Sequence, residues 1–255
     1  MTLRSFPRNI RWRTLEAFNR RDFNLSGSGP IVSFTFDDFP ESALQIGGSI
    51  LKSYGVLGTY YAAMGLMDQV NNLGRQFSAA DLVQLLQDGH ELGSHTFDHL
   101  SGRSSSFRDF QANVMKGMET VDRLTACGHP QSFSYPYGHV TFLAKRGISK
   151  HFSSCRGIIP GINKSPVDLN LLRANSLYSS SFDIDAIGRL FEANEQCKGW
   201  LIFYTHDISE NPSPFGCKPG EFESAVKMAV QRQVPIIPVG KVFRCDMRHI
   251  ISDSK

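Results

Sequence analysis

The chain has 255 residues, 41% of them hydrophobic and 20% charged, a composition that excludes a disordered chain, a collagen-like repeat and a disulfide-rich miniprotein. The formal net charge of +3 is too small to indicate a nucleic-acid-binding protein. No stretch approaches the roughly 20 uninterrupted apolar residues of a membrane span, and the length fits one large α/β domain.

Residues 1–25 precede the first predicted strand and carry the surplus positive charge. Residues 1–21 contain six arginines and a single glutamate, a net charge of +5, which leaves −2 for the rest of the chain. Because Trp12, Leu15 and Phe18 make an apolar edge, we expect a helix packed on the domain with its arginines in water. Two alternatives stay open for this stretch: peripheral contact with an anionic membrane surface, and an arginine-rich transit peptide.

The N-terminus and the cysteines indicate the compartment. The first residues lack the apolar run of a secretory signal, and the five cysteines are scattered without a CxxC pair. We therefore expect a cytoplasmic protein, held at the inner membrane surface if residues 1–21 bind there.

Strands and helices are predicted to alternate from residue 31 onward. IVSFTF at 31–36 is almost continuously apolar, as is typical of a strand buried on both faces. Further strands are predicted near 57–63, 90–94, 131–135, 149–153 and 200–204, and helices near 42–54, 78–88, 107–126, 183–196 and 221–232. This alternation predicts a parallel sheet or an α/β barrel in a single domain.

The first chemically notable residues are Asp37 and Asp38, which end the apolar strand. Two adjacent carboxylates repel each other and are costly to desolvate, so a nearby cation would explain the pair. A lone Asp-Asp in this place is also common as a turn or a helix cap.

Two histidines follow the strand near 90–94. If a helical turn begins there, His95 and His99 lie on the same side of it, about 5–6 Å apart. The HxxxH spacing is weak alone, but together with Asp38 it predicts a two-histidine, one-carboxylate site of the kind that hydrolytic zinc enzymes use.

Two more segments follow predicted strands. Phe133–Gly138 is an aromatic strand that runs into a Pro/Gly turn, and the strand of Trp200–Thr205 ends at His206. Because the carboxyl ends of parallel strands in an α/β barrel meet at one mouth, we expect these segments to converge with the residues at 37–38 and 95–99.

These four segments resemble motifs of the NodB-like polysaccharide deacetylases, carbohydrate esterase family 4. The matching segments are TFDD at 35–38, SHTFDH at 94–99, YPYG at 135–138 and LIFYTH at 201–206, within a similarity that covers about 31–240. The resemblance implies a distorted (β/α) barrel, predicted to be seven-stranded. We expect a basic extension over 1–25 and a NodB-like catalytic domain over 26–255.

The resemblance also implies a role for each matched residue. One divalent ion is expected, with zinc as the first expectation and Co, Ni, Mn or Fe compatible with the same ligands. The implied roles are general base for Asp37, general acid for His206, metal ligands for Asp38, His95 and His99, and oxyanion binding for the backbone N–H of Tyr137.

The sequence departs from the family pattern in two places. Many members carry an arginine that orients the base aspartate, and Ser134 occupies that position here. We expect either a water-mediated contact or another arginine, with Arg173 as the candidate. The Asp/Trp pair of the fourth motif is also not recognisable, since Asp183 and Asp185 lie in the right region without a tryptophan.

The predicted function is the metal-dependent removal of N-acetyl groups from amino sugars of a polysaccharide or its lipid-linked precursor, for a surface glycan such as O-antigen, capsule or exopolysaccharide. The predicted partner is therefore an N-acetylated glycan and not a nucleic acid. Three alternatives stay open: hydrolysis of a non-sugar amide, a two-histidine, one-carboxylate iron oxygenase, and a sugar-binding protein with a decayed site.

Overall fold

The computed structural model describes residues 8–25, 29–126 and 128–243. Within these ranges, no helix is both long and apolar enough to cross a membrane. The strands are β1 (Asp22–Phe23), β2 (Ile31–Asp38), β3 (Thr59–Ala62), β4 (Val70–Asn71), β5 (Gly74–Arg75), β6 (Glu91–Ser94), β7 (Ser132–Ser134), β8 (Ser154–Arg156), β9 (Val167–Asp168), β10 (Asn175–Ser176) and β11 (Trp200–Thr205). The helices are α1 (Arg8–Ala17), α2 (Ser49–Ser53), α3 (Ala79–Gln87), α4 (Phe107–Thr125), α5 (Phe142–Ile148), α6 (Ile184–Cys197) and α7 (Pro219–Gln231), with a π-helical turn, Ala43–Gly48, before α2.

Seven of the strands form one parallel sheet in the order β10-β11-β2-β3-β6-β7-β8. All eight residues of the central strand β2 are buried, which agrees with its continuous apolar sequence. The prediction of a single seven-stranded α/β domain is confirmed.

The strand register brings the functional segments to one level of the sheet. Asp38 pairs with Ala62, and Ala62 pairs with Ser94, so the ends of β2 and β6 are aligned across β3. The His95 amide N–H then donates to the Ala62 carbonyl at 3.1 Å. The first residue after β6 therefore lies directly beside the carboxyl end of β2.

The sheet curls so that its two edges approach each other. Residues 169–174 hydrogen-bond along the edge strand β8, with Leu172 bridged to Arg156, and the chain then enters β10 at the opposite edge. Side chains on the inner face of β8 can therefore reach across the interior toward β2. This curvature determines which residues meet in the site.

Local capping sets the helix boundaries. Ser78 and Asp81 form a capping box at the start of α3, and the Ser106 hydroxyl accepts from the Asp109 amide at the start of α4. Both helices were predicted to within a residue or two. The prediction of a strand at 149–153 was wrong, because this stretch follows the short helix α5, capped by Thr141, and the strand begins only at Ser154.

Residues 14–25 pack on the domain. Leu15 is buried, the rings of Phe18 and Phe142 lie 5.1 Å apart, and β1 pairs with β9. The Arg21 guanidinium donates to the carbonyls of Ser149, Phe152 and Ser153. The side chains of residues 1–12, including Trp12, lie outside the described part, so membrane contact through residues 1–21 and the boundary at residue 25 stay predictions.

A buried ion pair fastens the end of α1 to the domain. The Lys145 side chain is 0% exposed, and its ammonium group donates to Asp168 Oδ2 and to the Leu15 carbonyl, both at 2.7 Å. We expect Lys145→Met to lower the free energy of unfolding by about 3 kcal/mol, since it leaves the Asp168 carboxylate buried without its cation.

Urea unfolding measures this change. The exposed Lys150 provides a matched control, and Lys150→Met should stay within about 0.5 kcal/mol of the wild type. Equal stability of the two variants would contradict a stabilising role for the Lys145–Asp168 pair.

Candidate metal centre and active site

The predicted site residues meet at the carboxyl end of the sheet. Asp37, Asp38, His95, His99, Tyr137 and His206 all line one cavity of about 410 Å³. Each follows or ends a strand of the parallel sheet, as a barrel-mouth site requires.

Asp38, His95 and His99 form a cluster of metal-ligand atoms. Asp38 Oδ1 lies 3.5 Å from His95 Nε2 and 3.2 Å from His99 Nε2. Ligand atoms about 2.0–2.1 Å from a tetrahedral zinc ion stand about 3.3 Å apart, so these spacings fit one ion. Asp38 is 6% exposed and His95 is 1% exposed, so the ion would be held largely out of solvent.

The protonation states of the three side chains in the cluster also favour a bound cation. The His95 Nδ1–H donates to the Ser134 carbonyl at 2.7 Å, which leaves a lone pair on Nε2. Burial lowers the pKa of His95 to about 3 and that of His99 to about 4. Asp38 Oδ1 is buried and has no hydrogen-bond donor among the described residues. Burial and the neighbouring Asp37 carboxylate raise the pKa of Asp38 to about 7, so a cation would also stabilise its ionised form. The three ligand atoms lie close enough together for one divalent ion to bind them all.

The backbone around the cluster is not helical, which corrects the prediction of a helical turn after β6. Thr96 and His99 have φ values of 67° and 53°, in the left-handed region, and residues 95–100 form a loop. Asp38, Phe39 and Tyr137 share this conformation, with φ between 58° and 62°. Such residues cost about 1–3 kcal/mol each, and their concentration around one cavity is typical of a functional site.

Removal of one ligand should abolish tight metal binding. We expect His99→Ala to weaken zinc binding by more than about 100-fold, the upper end of what loss of a ligand-supporting residue costs. Equilibrium dialysis followed by elemental analysis measures zinc per chain. The exposed His151 serves as control, and His151→Ala should bind zinc like the wild type. Unchanged affinity in His99→Ala would exclude this cluster as the zinc site.

Asp37 is paired with an arginine that the sequence prediction missed. The Arg156 guanidinium contacts the Asp37 carboxylate, and it also donates to Ser134 Oγ at 2.6 Å. Burial raises the pKa of Asp37, but the charge and the hydrogen bond of the Arg156 guanidinium outweigh burial and bring this pKa below its ordinary value. Asp37 is therefore held as a carboxylate in a buried position.

Arg173 does not have the role expected of it. Its guanidinium contacts Glu16 and donates to the Pro160 carbonyl at 2.9 Å, which places it at the N-terminal segment. Arg156 reaches Asp37 because it lies on β8, next to Ser134 in the strand register, and the curled sheet turns its side chain into the interior. The small side chain of Ser134 leaves room for that guanidinium.

Two tyrosines hold the arginine between their rings. The Arg156 guanidinium carbon lies 5.0 Å from the ring centroids of both Tyr61 and Tyr204. These contacts are within the range of cation–π attraction. Because the arginine is fully buried, its position is determined on all sides by Asp37, Ser134 and the two rings.

His206 lines the same cavity as the three residues of the metal cluster. Its Nδ1 is 3.2 Å from the Phe215 carbonyl, so Nδ1 carries the proton there and Nε2 is the nitrogen available to a ligand. Burial lowers the pKa of His206 below its ordinary value, although Asp37 and the Phe215 carbonyl oppose the shift.

Asp183 and Asp185, the candidates for the aspartate of the fourth motif, lie at the start of helix α6. The Asp183 side chain accepts from the amides of Asp185 and Ala186 at 3.0 Å and caps helix α6. A backbone carbonyl, rather than a carboxylate, is therefore the partner that orients His206.

Tyr137 stands at the mouth of the cavity. The residue is 57% exposed, and the centroid of its ring lies 4.3 Å from that of the His99 ring. The backbone N–H of Tyr137 donates no hydrogen bond to any residue in the described part of the chain. Gly138 follows with φ of 62°, and a Cβ there would come within 2.2 Å of Ile158, so only glycine fits this turn.

Sequence comparison finds deacetylases among the proteins that are similar to this chain. Residues 25–151 match the profile of a family described as polysaccharide deacetylase. The chain is 26% identical over 108 residues to a chitooligosaccharide deacetylase of Azorhizobium caulinodans, covering 42% of this chain and 48% of that protein. It is also 26% identical over 131 residues to a peptidoglycan-N-acetylglucosamine deacetylase of Bacillus cereus, covering 50% and 56%. It thus spans about half the length of these curated relatives.

Solved structures share the fold. A peptidoglycan N-acetylglucosamine deacetylase superposes with a TM-score of 0.61 at 15% identity, covering 95% of this chain and 99% of that one. A family 4 acetyl xylan esterase from Clostridium thermocellum, solved with a cobalt ion, superposes with a TM-score of 0.60 at 17% identity, covering 84% and 90%. At such identities the similarity supports the fold alone.

Proposed function

The chain belongs to the polysaccharide deacetylase family, and from this premise we propose that it is a metal-dependent hydrolase that removes acetyl groups from a carbohydrate. One observation carries the proposal: three convergent metal-ligand atoms and a salt-bridged carboxylate face the same cavity. Asp38, His95 and His99 would hold the ion. When bound, a divalent ion polarises the substrate carbonyl and lowers the pKa of an adjacent water.

Asp37 is the proposed general base. It accepts the proton of the attacking water as the water oxygen bonds to the acetyl carbonyl carbon. Arg156 keeps Asp37 ionised and fixes its direction, so the base is ready before substrate arrives.

Tyr137 is proposed to act on the carbonyl oxygen of the acetyl group, and His206 on the leaving nitrogen. The unused amide N–H of Tyr137 donates to the carbonyl oxygen as negative charge develops there. His206, in its protonated form, donates from Nε2 to the leaving nitrogen as the carbon–nitrogen bond breaks. The products are acetate and an amino sugar.

The finer proposal is an N-acetylated amino sugar as substrate and zinc as the ion. The names of the two curated relatives, a chitooligosaccharide deacetylase and a peptidoglycan-N-acetylglucosamine deacetylase, support this substrate class. The two-histidine, one-carboxylate ligand set supports zinc. The iron oxygenase alternative is not favoured, since a buried base paired with arginine fits hydrolysis.

Acetate release tests the proposed function. The zinc-loaded protein is incubated with N-acetylated chitooligosaccharides and, in parallel, with a panel of cyclic amides. We expect acetate from the sugars and no ring opening of the amides. Hydrolysis of the amides alone would favour the non-sugar alternative, and sugar binding without turnover at any metal loading would favour a decayed site.

We further propose that the substrate is the cytoplasmic, lipid-linked precursor of a surface glycan. Lipid-linked precursor and exported polymer are offered to the enzyme separately. Activity on the polymer alone would overturn this proposal without affecting the proposed chemistry.

A further inference from the structure

The loop of residues 206–218 connects β11 to helix α7, and its second half folds back onto His206. The Phe215 carbonyl in this half accepts from the His206 amide and from His206 Nδ1, both at 3.2 Å. The same carbonyl accepts from the Thr205 hydroxyl at 3.3 Å. One carbonyl group therefore determines both the direction of the His206 ring and which of its nitrogens carries the proton.

The Asp207 side chain holds this half of the loop in place. Asp207 is 5% exposed, and its carboxylate accepts from the Ser213 amide at 2.8 Å and from the Ser213 hydroxyl at 2.5 Å. The Ser213 hydroxyl oxygen in turn accepts from the Phe215 amide at 3.2 Å. Two successive hydrogen bonds therefore connect the Asp207 carboxylate to the residue whose carbonyl binds His206.

Gly216 allows the carboxylate to lie directly against the loop backbone. A Cβ at Gly216 would overlap the carboxylate group of Asp207, so a larger residue does not fit there. The Gly216 amide donates to the Ser213 carbonyl at 3.0 Å, and the Cys217 amide donates to the Asp207 carbonyl at 2.9 Å. The peptide group between Phe215 and Gly216 is thus held on both sides.

Asp207 and Ser213 do not line the catalytic cavity, whereas His206 and Phe215 do. An effect of the carboxylate on a ligand in that cavity therefore has to pass through the loop. Asp183, which was the candidate for a carboxylate partner of His206, caps helix α6 instead. The contacts through Ser213 and Phe215 give His206 an indirect link to a different carboxylate.

We propose that Asp207 and Ser213 are positioning residues for His206: they hold the Phe215 carbonyl where it keeps a proton on Nδ1 and leaves Nε2 for the substrate. The inference rests on the proposed function, because it takes His206 as the group that protonates the leaving nitrogen. A general acid has to lie within hydrogen-bond reach of the atom that it protonates, so the direction of the ring limits the rate.

A comparison of two leaving groups tests the inference. An amine needs a proton to leave, whereas para-nitrophenolate leaves as the anion. Zinc-loaded Asp207→Ala, in which the two Ser213 donors lose their acceptor, is assayed with N-acetylated chitooligosaccharides and with para-nitrophenyl acetate. On the sugars, kcat should fall by about 10- to 100-fold, and KM should stay within about twofold.

The zinc-dependent kcat on the ester should stay within about twofold of the wild type, because that reaction does not need His206 as an acid. A structural defect of the whole site would lower both rates together. Equal losses on the two substrates, or no loss on the sugars, would overturn the inference.

Variants at Ser213 keep the test decisive if Asp207→Ala folds poorly, which urea unfolding checks. Ser213→Ala removes only the hydroxyl between Asp207 and Phe215, and kcat on the sugars should fall by about fivefold. Ser213→Thr keeps the hydroxyl and should stay within about twofold of the wild type. Equal kcat on the sugars in Ser213→Ala and the wild type would contradict the proposed role.

Asp183→Asn is the matched control for the loss of a carboxylate. Asp183 also accepts from two backbone amides, but at the start of α6 rather than beside His206. This variant should keep the wild-type ratio of sugar to ester turnover. A ratio lowered as far as in Asp207→Ala would show that the effect is not specific to the loop after β11.

The tautomer of His206 separates this inference from the proposed function. Nitrogen-15 NMR of the zinc-loaded protein at about pH 8 should find the His206 proton on Nδ1, and His206→Gln assigns the signal. In Asp207→Ala the proton should be shared between the two nitrogens. If the wild type releases no acetate from any sugar, the proposed function fails, yet this change would still support the positioning role. An unchanged Nδ1 proton in Asp207→Ala overturns the positioning role alone.

Discussion

Replacement of Asp37 by asparagine is expected to lower acetate release by about 10²- to 10⁴-fold, the range found for loss of a general base. The amide cannot accept the proton of the attacking water, whereas its carbonyl oxygen can still accept from Arg156. The fold and the three metal-ligand side chains should therefore remain in place. Acetate release per bound zinc is the quantity to measure.

A matched control for Asp37→Asn is the same substitution at an exposed aspartate. Asp68 is exposed and lies outside the cavity lining, so Asp68→Asn should retain the wild-type rate. Zinc content is determined for each preparation. An undiminished rate in zinc-loaded Asp37→Asn would exclude Asp37 as the base.

Loss of Arg156 is expected to affect both stability and activity. Arg156→Met leaves the Asp37 carboxylate buried without its cation, which should lower the free energy of unfolding by about 3–5 kcal/mol. Without that guanidinium, Asp37 also loses its fixed direction, and we expect kcat to fall by about 100-fold. Urea unfolding and acetate release measure the two effects. Arg173→Met, at an arginine paired with Glu16, should change stability by no more than about 1 kcal/mol.

Arg156→Met should also shift the pH dependence of kcat/KM in one predicted direction. Arg156 lowers the pKa of Asp37, so its removal raises that pKa. The acidic limb of the kcat/KM profile should therefore move to higher pH in Arg156→Met. In the wild type, the stability contributed by the ion pair is present above the pKa of Asp37 in the unfolded chain and is lost as pH falls through its lower folded pKa. A profile that does not move would contradict electrostatic control by Arg156.

A positional swap separates the role of Arg156 from its effect on folding. Ser134 and Arg156 are register partners on neighbouring strands, and both side chains are fully buried beside Asp37. The double variant Ser134→Arg, Arg156→Ser moves the guanidinium one strand closer to β2. We expect the double variant to release acetate at least about tenfold faster than the single variant Arg156→Ser. If the double variant releases acetate no faster than Arg156→Ser, an arginine can orient Asp37 only from its position on β8.

The metal cluster could be found from sequence because each ligand has a local signal. Asp38 ends a continuously apolar strand, and His95 and His99 directly follow another, so their types and positions alone suggested a shared ion. The convergence of strand ends in a parallel sheet is a general property of the fold class and needs no knowledge of particular contacts. The path of the backbone between the histidines did not follow from the spacing, because Thr96 and His99 adopt left-handed conformations that only the packed site stabilises.

The sequence by itself determined the alternation of elements, the parallel sheet and the candidate ligands, because apolar periodicity, helix caps and strand-end residues act within a few positions of each other. Only the tertiary structure decided that Arg156 rather than Arg173 meets Asp37. Those contacts depend on the lateral order and the curvature of the sheet, which arise from packing between segments more than 100 residues apart, as the 119-residue separation of Asp37 and Arg156 illustrates.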